Sequence, residues 1–282
     1  MSHAPNPGPT HSTTDSPAHP GVPSVQAAPA WSAAELSANP HARADKPARV
    51  REMFAAIAGS YDLNNRVHSF GRDQAWRRFA VRAANLKPTD RVLDMACGTG
   101  DLTRAFAAAG AASVLGMDFT QEMLDVAERK RIEQAQRRPG PLSDHIIYRQ
   151  GDAMAISEPD SSFDVLSIAF GIRNVLNPRT SANEFFRVLK PGGRLVILEF
   201  DKPRFAPIRW ASDFYTRQIM PLTATWISGD RSGAYKYLPR SVDTFLDRDQ
   251  LAQMLRDTGF VEIEQHPLSF GVCVCTTCRR PG

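Results

Sequence analysis

The stretch Val92–Asp101, V-L-D-M-A-C-G-T-G-D, decides the fold of this 282-residue chain. Its apolar beginning predicts a strand over Arg91–Met95, and the small residues that follow predict a tight turn. Asp101 then stands where the N-cap of a helix is expected. Because glycine has no Cβ, a unit of strand, glycine turn and helix lets a nucleotide-like ligand approach backbone N–H groups closely.

The spacing of the glycines in this turn argues against a dinucleotide. A dinucleotide fingerprint reads G-x-G-x-x-G and opens a helix N-terminus to pyrophosphate, whereas this turn has no third glycine and carries an acid, Asp94, in the strand. A ligand with an amino acid and a ribose but no phosphate needs carboxylates and backbone amides instead. The turn therefore favours S-adenosylmethionine, and the candidate contacts are Asp94, Cys97, Gly98, Thr99 and Gly100.

Two further acids follow the next two predicted strands. Asp118 comes after Ser113–Met117, where a carboxylate can accept hydrogen bonds from both ribose hydroxyls. Capping the following helix is an alternative role for Asp118, and the two roles can coexist. Asp152 comes after Ile146–Arg149 and can accept from the adenine amino group, with Ala153 offering its backbone N–H. Taken alone, this Gly-Asp-Ala sequence is also typical of a plain turn.

Hydrophobic periodicity predicts strands that alternate with helices along most of the chain. The strand-like runs are Arg91–Met95, Ser113–Met117, Ile146–Arg149, Phe163–Ala169, Gly193–Phe200, Val261–His266 and Phe270–Thr276. This alternation predicts an α/β, Rossmann-like fold with a seven-stranded, mostly parallel sheet between helices. The short connection before the last strand predicts that this strand is antiparallel. Ligands of such sheets lie outside the carboxyl ends of the strands, so Ala169 joins the expected cofactor contacts.

Five stretches of the chain resemble the UbiE/MenG family of class I S-adenosylmethionine-dependent methyltransferases. They are Phe54–Phe70, Asp94–Thr103, Ala169–Val175, Arg187–Pro203 and Ser232–Ser241, which follow one another with family-like spacing. Glycine turns and L-K-P-G-G occur in many methyltransferases, whereas F-G-I-R-N and Y-x-Y-L are much narrower motifs. The resemblance implies C-methylation of a polyprenylated quinol ring in menaquinone or ubiquinone biosynthesis, with demethylmenaquinol as the preferred expectation.

Carbon methylation requires a ring carbon made nucleophilic by weakening a phenolic O–H and held in line with the S–CH₃ bond. Arg173, just past the fourth strand, could stabilise a developing phenolate, and Asn174 could bond a ring oxygen. Their alternative role is to tie the loop to a neighbouring helix. Tyr61, as a catalytic residue, and Asn65, as a substrate contact, lie on a segment expected to close over the site. His68 is a weaker candidate for the general base.

The segment between the fifth and sixth strands is rich in aromatic residues. Residues 200–245 hold nine of the 24 aromatic side chains of the chain, in the usual place of a methyltransferase substrate lid. A helical insertion with its own small core is one interpretation, and a site for an apolar polyprenylated ring is the other. We expect residues 48–72 and 201–246 to form the lid, with Tyr235 and Tyr237 contacting the substrate.

The N-terminal region differs in composition from the rest of the chain. Residues 1–47 hold nine of the 21 prolines and one aromatic residue, so they are expected to be disordered, because they cannot bury enough apolar surface. Residues 48–282 are then the methyltransferase domain. Neither a secretory signal nor a membrane span is predicted. We expect a cytoplasmic protein, with peripheral contact at the inner face of the cell membrane suggested by its lipid-soluble substrate.

The charge and the cysteines exclude other classes of function. The net charge is +4, and basic and acidic residues alternate along the chain, which argues against a nucleic-acid partner and would help contact with an anionic membrane. Cys273, Cys275 and Cys278 have a spacing that suggests a metal site. However, Phe270–Thr276 alternates like a strand and no fourth ligand except His266 is near, so buried cysteines and no metal are expected.

Two other functions stay open at the level of sequence. One is a different small-molecule or RNA methyltransferase on the same scaffold, since fold alone does not decide function; tight, steeply salt-dependent RNA binding would favour it. The other is a non-catalytic subunit that binds S-adenosylmethionine, against which the retained Arg173-Asn174 and Tyr235-Lys236-Tyr237 argue. The sequence does not choose between menaquinone and ubiquinone precursors, and it is compatible with a homodimer.

Overall fold

A seven-stranded sheet forms the centre of the fold. The computed structural model describes residues 1, 30–32, 35–36, 39–137, 145–228 and 232–282. Its strands are β1 Arg91–Met95, β2 Ser113–Asp118, β3 Ile146–Gln150, β4 Phe163–Ala169, β5 Leu189–Phe200, β6 Val261–Leu268 and β7 Cys273–Arg279. Their order is β3-β2-β1-β4-β5-β7-β6. β1 to β5 are parallel to one another, and β7 is antiparallel to both β5 and β6. The predicted α/β, Rossmann-like architecture is confirmed.

Helices surround this sheet and precede it in the chain. In the described ranges they are α1 Lys46–Ile57, α2 Tyr61–His68, α3 Arg72–Ala83, α4 Asp101–Ala108, α5 Gln121–Arg137, α6 Pro178–Val188, α7 Ala206–Phe214, α8 Met220–Ser228, α9 Ala234–Thr244 and α10 Arg248–Thr258. A π-helical segment, Tyr215–Ile219, joins α7 to α8. None of the helices in the described ranges is long and apolar enough to cross a membrane.

Apolar side chains cover both faces of the sheet, as expected for parallel strands buried between helices. Successive strand residues point to opposite faces, and on β1 Val92 and Leu93 accordingly enter different clusters. Phe106 of α4 packs on the Val92 side and Phe185 of α6 on the Leu93 side. Full burial of such side chains stabilises the fold by about 1.5–3 kcal/mol each. The helices are thereby held so that the carboxyl ends of β1, β2 and β4 meet at one edge.

The last strand begins later than its sequence pattern predicts. A 3₁₀ turn, Ser269–Gly271, separates β6 from β7, and Phe270 in this turn has a left-handed φ of 61°. Cys273, Cys275 and Cys278 are all buried on β7, which confirms the prediction that these cysteines are buried. Burial also raises the pKa of the Cys275 thiol to about 12, so at neutral pH this sulfur is a protonated, apolar packing group.

The boundary predicted at residue 47 is corrected by the packing of the segment before it. Trp31 is buried, and its ring stacks on Tyr237 of α9 with 4.8 Å between the ring centroids. Its backbone N–H donates to the Ser232 carbonyl at 3.1 Å. Lys46 is buried as well. Residues 30–32, 35–36 and 39–47 therefore pack with the domain; residues 2–29, 33–34 and 37–38 lie outside the described residues.

Candidate active site

The glycine turn after β1 forms as its composition predicts. Gly98 and Gly100 have left-handed φ values of 55° and 77°, which glycine adopts without steric cost. The Gly100 N–H donates to the Cys97 carbonyl at 2.9 Å. A Cβ at Gly100 would collide with the hydroxyl of Tyr148 on β3 and crowd Ala127 on α5. The turn is therefore compact because a strand and a helix lie directly behind it.

Asp94 lies beneath this turn and does not line the cofactor cleft described below. Its buried carboxylate accepts hydrogen bonds from Thr103 Oγ1 at 2.6 Å and from Ser167 Oγ at 2.7 Å. Desolvation raises the pKa of Asp94 to about 6, although both hydroxyls act to lower it. Asp94 thus has a supporting role, in which it ties β1 to α4 and to β4, and its predicted contact with the cofactor stays a prediction.

Asp118, at the end of β2, joins the turn to the next helix. Its Oδ2 accepts from the Gly98 N–H at 2.8 Å, and its Oδ1 accepts from the Thr120 N–H at 2.9 Å. Burial raises the pKa of Asp118, and these backbone donors act in the opposite direction. Each carboxylate oxygen has a second lone pair, so the capping role and ribose binding are compatible. The contacts show Asp118 bridging the glycine turn and the residue before α5, and ribose binding stays a prediction.

A cleft opens above these residues at the carboxyl ends of the strands. Its empty volume, including its open mouth, is about 780 Å³, within the usual range for small-molecule sites. Five residues expected to bind the cofactor line this cleft: Gly98, Asp118, Asp152, Ala153 and Ala169. Asp152 Oδ1 accepts from the Met154 N–H at 2.9 Å, which leaves its Oδ2 for an exocyclic amine. The strand-end acids thus meet in one cleft.

The other residues predicted in the turn shape it from behind. Cys97, Thr99 and Gly100 are not among the described residues that line the cleft. The Thr99 hydroxyl donates to Asp62 at 2.5 Å, and Lys130 forms a salt bridge to the same carboxylate. Burial raises the pKa of the Cys97 thiol well above its ordinary value, which excludes a reactive thiolate at this position at neutral pH. Contact of Cys97, Thr99 and Gly100 with the cofactor, through the backbone of the turn, stays a prediction.

Apolar cleft residues were missed by sequence reasoning. Phe119 and Met154 line the cleft, and each follows a predicted contact, namely Asp118 and the Asp152-Ala153 pair. Their position next to the strand-end acids is the signal that could have identified them. Among the described residues that line the cleft there is no lysine, arginine or histidine, so a phosphate would lack a counter-charge. Two carboxylates with apolar walls fit a cationic nucleoside such as S-adenosylmethionine.

A larger cavity adjoins the cofactor cleft. With its opening it encloses about 2560 Å³, and Phe54, Tyr61 and Phe170 line both spaces. All three predicted substrate contacts line this second cavity: Asn65, Tyr235 and Tyr237. Desolvation raises the pKa of the Tyr61 phenol, so this group at the shared wall is a hydrogen-bond donor at neutral pH. The cofactor cleft therefore adjoins a second space that is lined by all the residues predicted to contact the substrate.

Arg173 is held by a buried network in the loop after β4. Its Nη1 forms an ion pair with Glu199 Oε1 at 2.6 Å and donates to the Phe170 carbonyl at 2.7 Å. Its Nε donates to Ser241 Oγ of α9 at 3.3 Å. The side chain lines the large cavity, but its charge is balanced by Glu199. The contacts thus support the alternative role considered for Arg173, which is to anchor the loop.

Asn174 and His68 line different spaces, and both are oriented by hydrogen bonds. Asn174 lines the cofactor cleft, and its Oδ1 accepts from the Tyr237 hydroxyl at 3.1 Å. His68 lines the large cavity. Its Nδ1 lies 2.8 Å from the Asn64 carbonyl, which can only accept, so Nδ1 carries the proton. Nε2 lies 2.8 Å from Thr223 Oγ1 and is the basic nitrogen of the neutral ring.

Lys46 is a site residue that sequence reasoning missed, because it was assigned to the tail. Its Nζ donates to the carbonyls of Arg173 at 2.8 Å and Val175 at 2.6 Å. It lies 2.9 Å from Nδ1 of His41, whose Nε2 donates to the Ser241 carbonyl at 2.9 Å. Desolvation and the nearby charge of Arg173 lower the pKa of Lys46 to about 7. The only sequence signal is its place at the start of a helix, directly before a proline.

This sheet order, with an antiparallel β7 and a nucleoside cleft above the β1 turn, defines an S-adenosylmethionine-dependent methyltransferase of class I. Residues 42–279 match the ubiE/COQ5 methyltransferase family, and the chain belongs to that family. A demethylmenaquinone methyltransferase of Deinococcus radiodurans is 41% identical over 81% of this chain and 91% of its own. The ubiquinone/menaquinone biosynthesis C-methyltransferase UbiE of Geotalea daltonii is 39% identical over 83% and 97%.

Solved structures agree on the fold. A putative methyltransferase in complex with the Haloferax volcanii Trm112 activator has a TM-score of 0.57 and 17% identity, covering 81% of this chain and 98% of its own. A Thermotoga maritima S-adenosylmethionine-dependent methyltransferase, possibly a histamine N-methyltransferase by its description, has a TM-score of 0.55 and 18% identity, covering 82% and 99%. At these identities the likeness shows the fold alone, and the family match confirms the resemblance predicted from the sequence motifs.

Proposed function

We propose that this protein transfers a methyl group from S-adenosylmethionine to a ring carbon of a polyprenylated quinol, with demethylmenaquinol as the preferred substrate. The observation that carries this proposal is the large cavity that shares the walls Phe54, Tyr61 and Phe170 with the cofactor cleft. An apolar space of this size beside a methyl donor suits a prenylated ring. The relatives named for menaquinone and ubiquinone biosynthesis support the same substrate class.

The cofactor supplies a methyl group already activated on a sulfonium centre. In the proposed reaction Asp118 accepts from the ribose hydroxyls, and Asp152 with Ala153 recognises the adenine. Tyr61, which stays protonated, donates a hydrogen bond to a ring oxygen as negative charge develops on it, and Asn174 contacts the ring from the cofactor side. Where the bound ring excludes water, such fixed donors stabilise charge more than they would in water.

After methyl transfer the methylated ring carbon must release its hydrogen as a proton, which restores the aromatic ring and passes in net to solvent. Before the transfer the quinol hydroxyl must give up or share its proton. His68 is the residue that we assign to this step, since its Nε2 lone pair is accessible when the Thr223 hydroxyl turns to the Ile219 carbonyl, 3.1 Å away. Arg173 is assigned to holding the loop that carries Asn174, through the Glu199 ion pair and the Phe170 carbonyl. A catalytic action of Arg173 on the ring oxygen is the competing assignment, and its test is given below.

We further propose that the enzyme works as a peripheral protein at the cytoplasmic face of the cell membrane, without a nucleic-acid partner. A prenylated quinol is carried in the bilayer, so the enzyme must collect it there. The walls of the described substrate cavity are largely apolar and aromatic, which suits a lipid better than an RNA backbone. An RNA methyltransferase and a non-catalytic assembly subunit are the alternatives that the assay below would distinguish.

The test is a methyl-transfer assay on purified protein with two chemically reduced substrates, a prenylated naphthoquinol that lacks the ring methyl and a prenylated methoxybenzoquinol. We expect C-methylation of the naphthoquinol with the higher kcat/KM, measured by transfer of labelled methyl and by mass spectrometry. The oxidised quinones are the matched control and should be inert, because they have no hydroxyl proton to lose. If the protein bound S-adenosylmethionine but methylated neither quinol, the proposed function would be wrong.

A further inference from the structure

The helix from Ala206 to Ser228, which comprises α7, the π-helical segment and α8, has two apolar faces. One face lines the substrate cavity, with Ile208, Ala211, Tyr215, Thr216 and Met220. The other face is exposed, with Trp210 at 72%, Phe214 at 52%, Leu222 at 74% and Trp226 at 87%. Large apolar side chains that form a contiguous exposed surface mark a site of interaction. We call these four residues the outer face.

The π-helical segment aligns the four side chains of the outer face on one side of the helix. Trp210 and Phe214 are four residues apart and their rings stack at 6.0 Å; Leu222 and Trp226 are also four residues apart. Eight residues separate Phe214 from Leu222, which in an α-helix would rotate Leu222 by about 80° away from Phe214. The π turn at Tyr215–Ile219 takes in one extra residue. The rotation about the helix axis from Phe214 to Leu222 is therefore that of seven α-helical residues, which is about two full turns. All four side chains then lie on one face of the helix.

The helix itself exposes charges of one sign. Among the described residues 204–227, the exposed charged side chains are Arg204, Arg209 and Arg217. Arg204 and Arg217 pair with Asp249 and Asp243 of the following helices, and Arg209 adds a further positive charge next to Trp210. The acid in this range, Asp213, is half-buried and lines the cavity on the other face. Tryptophan is enriched where proteins meet the headgroup region of a bilayer, and arginine is attracted by anionic headgroups. This composition is complementary to an anionic lipid surface.

Two exposed phenylalanines mark the opening of the cavity. Phe70 and Phe270 line the substrate cavity and are nonetheless 78% and 81% exposed. Both hold left-handed φ values, 53° and 61°, which are uncommon for bulky side chains and typical of functional sites. The ring of Phe70 lies 5.6 Å from that of Tyr215 in the π-helical segment. The opening of the cavity is therefore continuous with the helix that carries the outer face.

We propose that the outer face docks on an anionic lipid bilayer, so that the prenylated quinol passes from the membrane into the cavity past Phe70 and Phe270. This inference rests on the proposed function and identifies the surface that delivers its substrate. The bilayer is favoured over a second copy of the chain because the charges that residues 204–227 themselves expose are all arginine. A self-complementary interface would bring these like charges together around its two-fold axis.

The test is co-sedimentation of the full chain with vesicles of equal parts phosphatidylcholine and phosphatidylglycerol. We expect salt-sensitive binding, and in the double variant W210Q/W226Q a membrane partition coefficient lowered by at least about tenfold. The fluorescence of Trp210 and Trp226 should shift to the blue on binding, whereas Trp31 and Trp76 are already buried. The variant I147Q, at an exposed position on β3, is the matched control and should bind as wild type.

Three outcomes would overturn the proposal: wild type that does not bind these vesicles, a double variant that binds as well as wild type, or a double variant that changes only from dimer to monomer in sedimentation equilibrium. Measuring methyl transfer to a soluble and to a membrane-borne quinol distinguishes the docking proposal from the proposed function. The double variant should methylate a soluble naphthoquinol without a prenyl chain at the wild-type rate, and a prenylated quinol in vesicles more slowly. If the wild type methylated neither substrate, the proposed function would be contradicted. The docking proposal would still be decided by the vesicle co-sedimentation, which does not depend on activity.

Discussion

The ammonium group of Lys46 donates a hydrogen bond to the carbonyl oxygen of Arg173 at 2.8 Å. Its other two N–H bonds are directed at the Val175 carbonyl and at Nδ1 of His41, so all three donors of the charged group are satisfied. The segment before α1 is thereby fastened to the loop that carries Asn174. The same loop is held from the opposite side by the Arg173–Glu199 ion pair.

The first prediction concerns Lys46→Met. Methionine keeps the length of the side chain but leaves two buried carbonyls without their donor, which should lower the free energy of unfolding by about 1–3 kcal/mol. The loop should also position Asn174 less well, so kcat should fall more than the affinity for S-adenosylmethionine. Chemical denaturation and single-turnover kinetics measure the two effects. Lys190→Met, which removes a partly exposed bridge to Asp164, should change both little; equal effects of the two substitutions would contradict the role of Lys46.

The second prediction separates the two roles of Arg173. Arg173→Ala leaves Glu199 buried without its partner, so the free energy of unfolding should fall by about 3–5 kcal/mol. Adding Glu199→Gln should restore part of this loss, since the unpaired charge is gone. Arg179→Ala, at a surface bridge to Asp257, should cost less than about 1 kcal/mol. If Arg173→Ala abolished methyl transfer without changing stability, Arg173 would act on the ring oxygen instead.

The third prediction concerns cofactor affinity. Asp118→Asn should weaken S-adenosylmethionine binding by roughly 30- to 150-fold in titration calorimetry, which corresponds to about 2–3 kcal/mol of charge-assisted hydrogen bonding to the ribose. Circular dichroism should show that the variant is folded. Asp125→Asn, an exposed change on α5, provides the comparison and should bind normally. An unaltered dissociation constant for Asp118→Asn would remove this carboxylate from the site.

The fourth prediction is a pH dependence of stability that arises from Asp94. Because its folded-state pKa of about 6 lies above the ordinary 3.8, the folded protein holds a proton that the unfolded chain has released between these values. Its contribution is therefore present below about pH 4 and is lost as the pH rises through 6. Asp94→Asn cannot ionise, so its stability relative to wild type should increase by up to about 3 kcal/mol from pH 4 to pH 7. The measurement is the free energy of unfolding of both proteins by chemical denaturation from pH 4 to pH 7. A constant difference between them over this range would contradict the raised pKa of Asp94.

Local sequence determined the parts of the site that depend on neighbouring residues. The turn at Gly98–Gly100 and the acids Asp118 and Asp152 follow from strand patterns and small residues, because strand ends and tight turns are encoded over a few positions. Parallel strands then bring their carboxyl ends together without further information. The family motifs predicted the reaction, because F-G-I-R-N and Y-x-Y-L are much narrower than the glycine turn and point to quinol methyltransferases.

Only the tertiary structure decided which side chains point into the cleft and which support it. Asp94 faces Thr103 and Ser167 beneath the turn, and Lys46 reaches Arg173 across 127 positions of sequence. No periodicity of a strand or helix encodes such pairings. They exist because a buried polar group must find a partner wherever packing places one. The chain by itself therefore determined the sheet and the cofactor turn, whereas long-range burial decided the partners of Asp94, Arg173 and Lys46.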